Sequence, residues 1–410
     1  MEQHVSMIQL PGPVKGINWF GKILEKVGST PIQLHPEKLL KQAQKQTGLQ
    51  DFGGEDFLEP LHLLLEDHNK EKELSLLGRI IVKRELGQIL KNRLLIQETF
   101  NKHPEIHEVK IEKPVFILGF PRTGTTLLHN LMAQNERART PKMWELHAPC
   151  PPPSPETPSN DPRIVKMKKD VKQMFEVVPV LQAIHPMGAE RPDECFPLFH
   201  NCFASLTFGA ESHVPRYMEW LKNKDLVPDY QYYRKQLQIL QWKFPNTFWV
   251  LKAPSHLLGL KALLKVFPDA KIIQTHRTPQ EVVASCCSLY EATRTLFTKQ
   301  PKPEAIGEQW LKQWGNAMDH TMQVRKEVDG SNFYDLHYRS FVSDPVGTIK
   351  KLHTHFSLPY DQKTEDKVAA WLKDNPSNKH GVHKYTLERY GLTETKIKER
   401  FIDYIETFLA

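Results

Sequence analysis

Apolar positions change their rhythm along this chain of 410 residues. Up to about residue 112 they recur every third or fourth position, over 39–46, 57–68 and 74–99, which predicts packed amphipathic helices. From residue 114 onward, strand-like runs take turns with helical patterns. The runs cover 115–118, 247–252, 271–276 and 333–338. The helical patterns cover 125–136, 256–266, 280–298, 303–328 and 345–356, with a last helix at 393–409. Such alternation predicts an α/β fold, a mostly parallel sheet flanked by helices on both faces. Ligands of these sheets gather at the carboxyl ends of the strands.

Two stretches break the alternation. Residues 150–162, CPPPSPETPSNDP, hold too much proline for regular structure and read as an exposed loop. Residues 163–243 form a helical insertion between the first and second strands, rich in Met, Phe, Trp and Tyr, and are expected to lie over the strand ends. The expected organisation is a helical N-terminal extension over 1–112 and an α/β domain over 113–410 that carries this insertion.

An apolar content of 40% with 25% charged residues is ordinary for a globular protein. The net charge of +7 favours an anionic ligand, but the 55 Lys and Arg are interspersed with 48 Asp and Glu. No basic tail or nucleic-acid motif stands out, so nucleic acid is not an expected partner. The first residues, MEQHVSMIQLPGPVKG, lack the features of a signal peptide, and no run reaches the roughly 18 apolar residues of a membrane span. Five cysteines without metal-like spacing read as free thiols. A cytoplasmic location is the expectation.

The chemistry begins in PVFILGFPRTGTTLLHNLM, residues 114–132. A strand feeds a glycine loop and then a helix, an arrangement that aims backbone N–H groups and a helix N-terminus at a phosphate. Gly119 and Gly124 have the spacing of the nucleotide-binding loop G-x-x-x-x-G-K-[ST], but Thr125 stands where that loop has lysine. The cation here is Arg122. Phosphoryl transfer with a metal needs that lysine and usually an acid at a second strand end. The other strand ends offer bases instead, Lys252 and Arg277. Arg277 is placed to grip a second phosphate, with Ser285 two helical turns further on.

The PRTGTT loop, together with LKAPSHLLGLKALLKVFPDAKIIQTHR and a downstream serine, resembles the sulfotransferases that use 3′-phosphoadenosine 5′-phosphosulfate (PAPS). The similarity is to the branch that includes bacterial and polyketide-associated enzymes, and it runs over residues 114–408. It implies a P-loop-type fold. It also implies that Arg122, Thr123, Gly124, Thr125, Thr126 and Leu127 cradle the 5′-phosphosulfate, while Arg277 and Ser285 hold the 3′-phosphate. A C-terminal basic segment with His380, Gly381 and His383 would close over the donor. Relatives more often carry lysine at the position of Arg122.

Transfer needs a base, charge on the transferring group and a stabilised leaving phosphate. His256, at a strand end in Lys252-Ala253-Pro254-Ser255-His256, is the expected base, with Lys252 on the transferring group. Glu190 and Glu194 in the insertion are rivals for the base and candidate acceptor contacts. Phe199 and the neighbouring aromatic residues suggest an apolar acceptor pocket. His380 and His383 lack a third ligand with convincing spacing, so no metal is expected. The function expected is sulfuryl transfer from PAPS to a hydroxyl of a small lipophilic acceptor: a lipid, sterol, polyketide or phenol. A small-molecule kinase and a non-catalytic nucleotide-binding protein are the alternatives. Oligomeric state is left open by the sequence.

Overall fold

The segment Val115–Gly119 is buried at every position, as expected of a strand covered on both faces. The computed structural model describes residues 11–26, 32–185, 187–244, 247–376 and 385–410. The segment is β1, at the centre of a five-stranded sheet with β2 (Ala138–Arg139), β3 (Phe248–Lys252), β4 (Lys271–His276) and β5 (Phe333–His337). The order is β2-β3-β1-β4-β5 and all pairings are parallel. The two-residue strand β2 has no counterpart in the hydrophobic pattern. It is too short to show a period.

Alternation along the strands assigns each side chain to one of two cores. Val115, Ile117, Val250 and Ile273 meet α5 (Thr125–Met132), α17 (Pro345–His355) and α18 (Gln362–Asp374) through Leu128, Leu131, Ile349, Leu352 and Val368. Phe116, Leu118, Trp249, Leu251 and Ile272 face the other way into a larger core. That core is shared with α12 (Val227–Gln241), α13 (Leu260–Val266), α15 (Pro303–Glu327) and α20 (Ile402–Phe408). It runs without interruption into α2 (Pro36–Thr47), α3 (Leu58–Lys70) and α4 (Leu76–Lys102), through Leu39, Leu64 and Leu90. The N-terminal helices are thus part of the same apolar interior as the sheet. Ahead of them, α1 (Gly12–Lys26) rests on the start of α4.

Between β2 and β3 lie α6 (Met143–His147), α7 (Pro162–Val177), α8 (Val180–Ile184), α9 (Phe196–His200), α10 (Thr207–Glu211), α11 (Pro215–Asn223) and α12. The proline-rich stretch between α6 and α7 contains no helix or strand. After β4 come α14 (Pro279–Phe297) and α15, and near the C-terminus α19 (Glu394–Arg400) precedes α20.

Candidate active site

The loop after β1 is held by hydroxyls and by an exceptional backbone. Arg122 has φ +72°, a left-handed conformation uncommon for a residue with a side chain, and Gly124 at the N-cap of α5 has φ +86°. Thr123 is fully buried. Its Oγ1 donates to the Phe120 carbonyl at 2.6 Å and lies 2.6 Å from Thr275 Oγ1 on β4. Gly119 has φ +146°, and a Cβ there would stand 2.2 Å from Thr275 Oγ1, so only glycine lets β1 approach β4 this closely. The result is a fixed turn that leads into the amino end of α5, with Thr125 buried and Thr126 and Leu127 half-buried.

Three of the expected donor residues meet at this turn. Arg122 Nε donates to Ser285 Oγ at 3.1 Å, and Arg277 Nη1 donates to the Arg122 carbonyl at 3.1 Å. Arg277 is itself braced by Glu281, 2.9 Å from its Nε, and lies 4.1 Å over the Tyr338 ring. Burial of Ser285 on α14 and the half-exposed guanidinium of Arg277 fix the second cationic point beside the first.

Lys252 ends β3 on the same sheet face as Val250, the face covered by α5. Its Nζ lies 2.7 Å from Glu194 Oε1 and 3.5 Å from Thr126 Oγ1, and the side chain is buried. Backbone bonds put Glu194 there. Cys195 N donates to the Lys252 carbonyl at 2.9 Å, Asp193 N to Pro141 O at 3.1 Å, and Met143 N to Arg191 O at 3.1 Å. The strand-like segment before α6 is anchored in turn by Arg139, whose guanidinium forms a two-pronged buried pair with Glu145 at 2.8 and 3.0 Å. Burial raises the Glu194 carboxyl, but the charges of Lys252 and His185 outweigh it and hold the group below its ordinary value. Asp193 next to it is raised, mainly by burial.

His256 is elsewhere. It follows β3, but its ring packs on the opposite face of the sheet, edge-on to Phe116 at 5.1 Å and within 6.0 Å of Phe199, Tyr230 and Tyr233. No part of it reaches solvent, and Tyr230 Oη lies 2.8 Å from its Nδ1. Burial alone pushes its pKa down to about 3. The imidazole expected to take the acceptor proton thus lies in an aromatic cage in this structure, with its Nε2 buried and without a hydrogen-bond partner. Phe199 belongs to the same cage, stacked on Tyr233 at 4.8 Å, and is buried. Glu190 lies apart on the surface, paired with Lys168 at 2.5 Å. His380, Gly381 and His383 fall outside the described residues.

A glycine turn, two arginines and a lysine–carboxylate pair thus stand together at adjoining strand ends. The profile of the Sulfotransferase family matches residues 114–362. The chain belongs to the sulfotransferase family. It is an enzyme of that class, which sets the kinase alternative aside. Its structure is similar to the crystal structure of sulfotransferase STF1 from Mycobacterium tuberculosis H37Rv, with a TM-score of 0.81 and 32% identity, covering 90% of this chain and 99% of that one. Sulfotransferase STF9 from Mycobacterium avium gives a TM-score of 0.84 at 28% identity, covering 93% and 98%. In sequence, the omega-hydroxy-beta-dihydromenaquinone-9 sulfotransferase Stf3 of Mycobacterium bovis is 26% identical over 294 residues, 69% of this chain and 72% of that protein.

Two residues near Lys252 and Glu194 escaped the sequence reading. Asp193 entered it only as part of a charged turn. His185 did not enter it at all, yet its imidazole feels Asp193, Glu194, Lys252 and Arg122 together. Burial lowers its pKa, the two acids raise it and the two bases lower it further. No motif marks His185, because its place depends on how the insertion folds back onto β3.

Proposed function

We propose that the chain transfers the sulfuryl group of PAPS to a hydroxyl of a small lipophilic acceptor, and that transfer occurs between Lys252 and Glu194. The observation that carries this reading is the buried Lys252 ammonium, 2.7 Å from Glu194 and 3.5 Å from Thr126 at the mouth of the loop. In this reading the backbone N–H groups from Gly124 to Leu127, the Thr125 and Thr126 hydroxyls and Arg122 hold the 5′-phosphosulfate. Arg277 and Ser285 hold the 3′-phosphate. PAPS supplies an activated sulfuryl group. The acceptor oxygen forms a bond to sulfur as the bond to the 5′-phosphate oxygen breaks, leaving adenosine 3′,5′-bisphosphate (PAP) and a sulfate ester.

Within this scheme Glu194 takes the acceptor proton. Its carboxylate is ionised at neutral pH, faces the charged site and keeps a fifth of its side-chain surface exposed, unlike His256. Lys252, drawn from Glu194 toward the donor, balances charge on the transferring oxygens. Half-buried Phe196, two residues after Glu194, and Tyr290, whose phenol feels the Glu194 charge, are suitable apolar walls for the acceptor. The acceptor named for Stf3, a hydroxylated menaquinone derivative, is in keeping with a lipophilic alcohol here. Five buried free cysteines accord with a reducing, cytoplasmic setting.

The donor assignment is tested by calorimetric titration with PAP and with AMP, which differ by the 3′-phosphate. Clear preference for PAP supports the assignment. Equal affinity for the two removes Arg277 and Ser285 from it.

A further inference from the structure

Helix α1, GPVKGINWFGKILEK, presents three different faces around its circumference. One is occupied. Val14 is buried, Asn18 accepts from Leu77 N at 3.2 Å through its side-chain oxygen, and a Cβ on Gly21 would come 2.6 Å from Leu76 Cβ. Glycine at position 21 lets α1 lie directly on the first turn of α4. The second face is apolar and exposed: Trp19 is 65% exposed, Phe20 53% and Ile23 38%. The third adjoins it and is cationic. Lys15, Lys22 and Lys26 fall within a narrow arc at helical spacing, and all three are exposed. Large apolar side chains rarely stand in water side by side in this way.

We propose that α1 docks this protein on an anionic membrane surface, with Trp19, Phe20 and Ile23 entering the interface and the lysine row meeting lipid headgroups. Aromatic residues beside lysines on a docked amphipathic helix have the chemistry of the headgroup boundary, where a ring sits at the edge of the acyl region and ammonium groups reach phosphates. Charge favours this occupant over a second copy of the chain, because an antiparallel two-fold contact through the stripe would set the row of lysines against its own like charges. None of the helices among the described residues is long and apolar enough to cross a membrane, so attachment would be to the surface.

The location suits a lipophilic acceptor, and in this respect the inference rests on the function proposed above. Glu85 lies eight residues beyond Leu77 on α4, about 12 Å along the helix axis. Its Oε1 is 3.3 Å from His200 Nδ1, and the His200 ring lies 5.3 Å from that of Phe196, next to the Glu194 segment. The membrane-facing helix and the acceptor side of the site are thus joined along one helix.

The test is co-sedimentation of the full chain with vesicles of phosphatidylcholine alone and of equal parts phosphatidylcholine and phosphatidylglycerol, without donor or acceptor. The expected result is binding to the anionic vesicles that weakens with salt. The W19S/F20S/I23S variant should lose it. The K15E/K22E/K26E variant should lose the anionic preference, each lysine near such a surface being worth about fivefold in partition. Turnover of a short, water-soluble alcohol should be the same in parent and variants, and far-ultraviolet circular dichroism should match. A parent that ignores anionic vesicles at low salt overturns the proposal, as does binding that survives W19S/F20S/I23S. So does light scattering that shows a dimer dissociated by the same variant, which would put a second copy on the stripe. Because the vesicle binding itself uses no PAPS, its failure leaves the sulfuryl-transfer reading intact, and failure of that reading leaves the binding result standing.

Discussion

Replacing Glu194 by Gln separates the two candidate bases. The amide matches the carboxylate in shape, and its oxygen still accepts a hydrogen bond from Lys252, now 2.7 Å from Glu194 Oε1. What is removed is the proton acceptor and one negative charge. General-base catalysis is worth about 10²–10⁴ in rate, or about 3–5 kcal/mol of barrier, so kcat should fall by that factor. Binding of PAP should hold or tighten. At an effective dielectric near 20, a charge pair at this distance interacts by several kcal/mol before desolvation is subtracted, and loss of the acid leaves the ammonium to attract phosphate. The assay is steady-state turnover with PAPS and a lipophilic alcohol, paired with PAP titration and thermal unfolding on the same preparations. A kcat for Glu194→Gln within about threefold of the parent, outside the range of general-base effects, would refute the role of Glu194.

His256→Ala should give the opposite pattern. It empties an aromatic cage and strands the Tyr230 hydroxyl, at a cost of about 2–4 kcal/mol in stability, while kcat per folded molecule stays near that of the parent. Arg277→Ala should raise the KM for PAPS by about tenfold to a hundredfold with little change in kcat, and titration with PAP and AMP should show the preference between them gone. Acid should destabilise the fold early. Burial lowers His256 and His129 to about 3, and His68 and His147 to about 4, from 6.5. Because the folded values lie below the unfolded one, the unfolded chain binds more protons below pH 6.5. This stability is complete above pH 6.5 and drains as pH falls toward 4, by about 1.4 kcal/mol per pH unit for each such histidine. Urea unfolding at a series of pH values measures the slope, and His256→Gln should make it shallower. A stability that is flat between pH 7 and 5 would contradict the buried neutral histidines.

The strands could be read from the chain because parallel strands covered on both faces are continuous apolar runs. β4 was placed at its observed limits, and β1, β3 and β5 within one residue. The long helices of the α/β region were equally plain, although the last one divides at Phe401 into α19 and α20. Helices α1 and α18 were not seen. The first has apolar residues on both a packed and an exposed face, which blurs the period. The residues of the proposed donor side were legible for a local reason: Arg122 to Leu127 form one turn, and Arg277 follows a strand end directly. The acceptor side was not, because it depends on tertiary contacts. His256 and Lys252 are four residues apart, yet the pleat and the turn after β3 send them to opposite faces of the sheet. Glu194 reaches Lys252 only because the insertion lays its backbone along Pro141 and Lys252. The sequence favoured His256 as the base with Glu190 and Glu194 as rivals, and of His256 and Glu194 it is His256 that lies wholly buried.

The most direct test of sulfuryl transfer at this site is incubation of the protein with PAPS carrying radioactive sulfur and a panel of lipophilic alcohols, with parent and Glu194→Gln side by side. Label passing to an alcohol as a sulfate ester, with an equal amount of PAP and little product from Glu194→Gln, is the expected result. PAP preference in titration without labelled ester from any alcohol in the panel, or equal ester formation by Glu194→Gln, would contradict it.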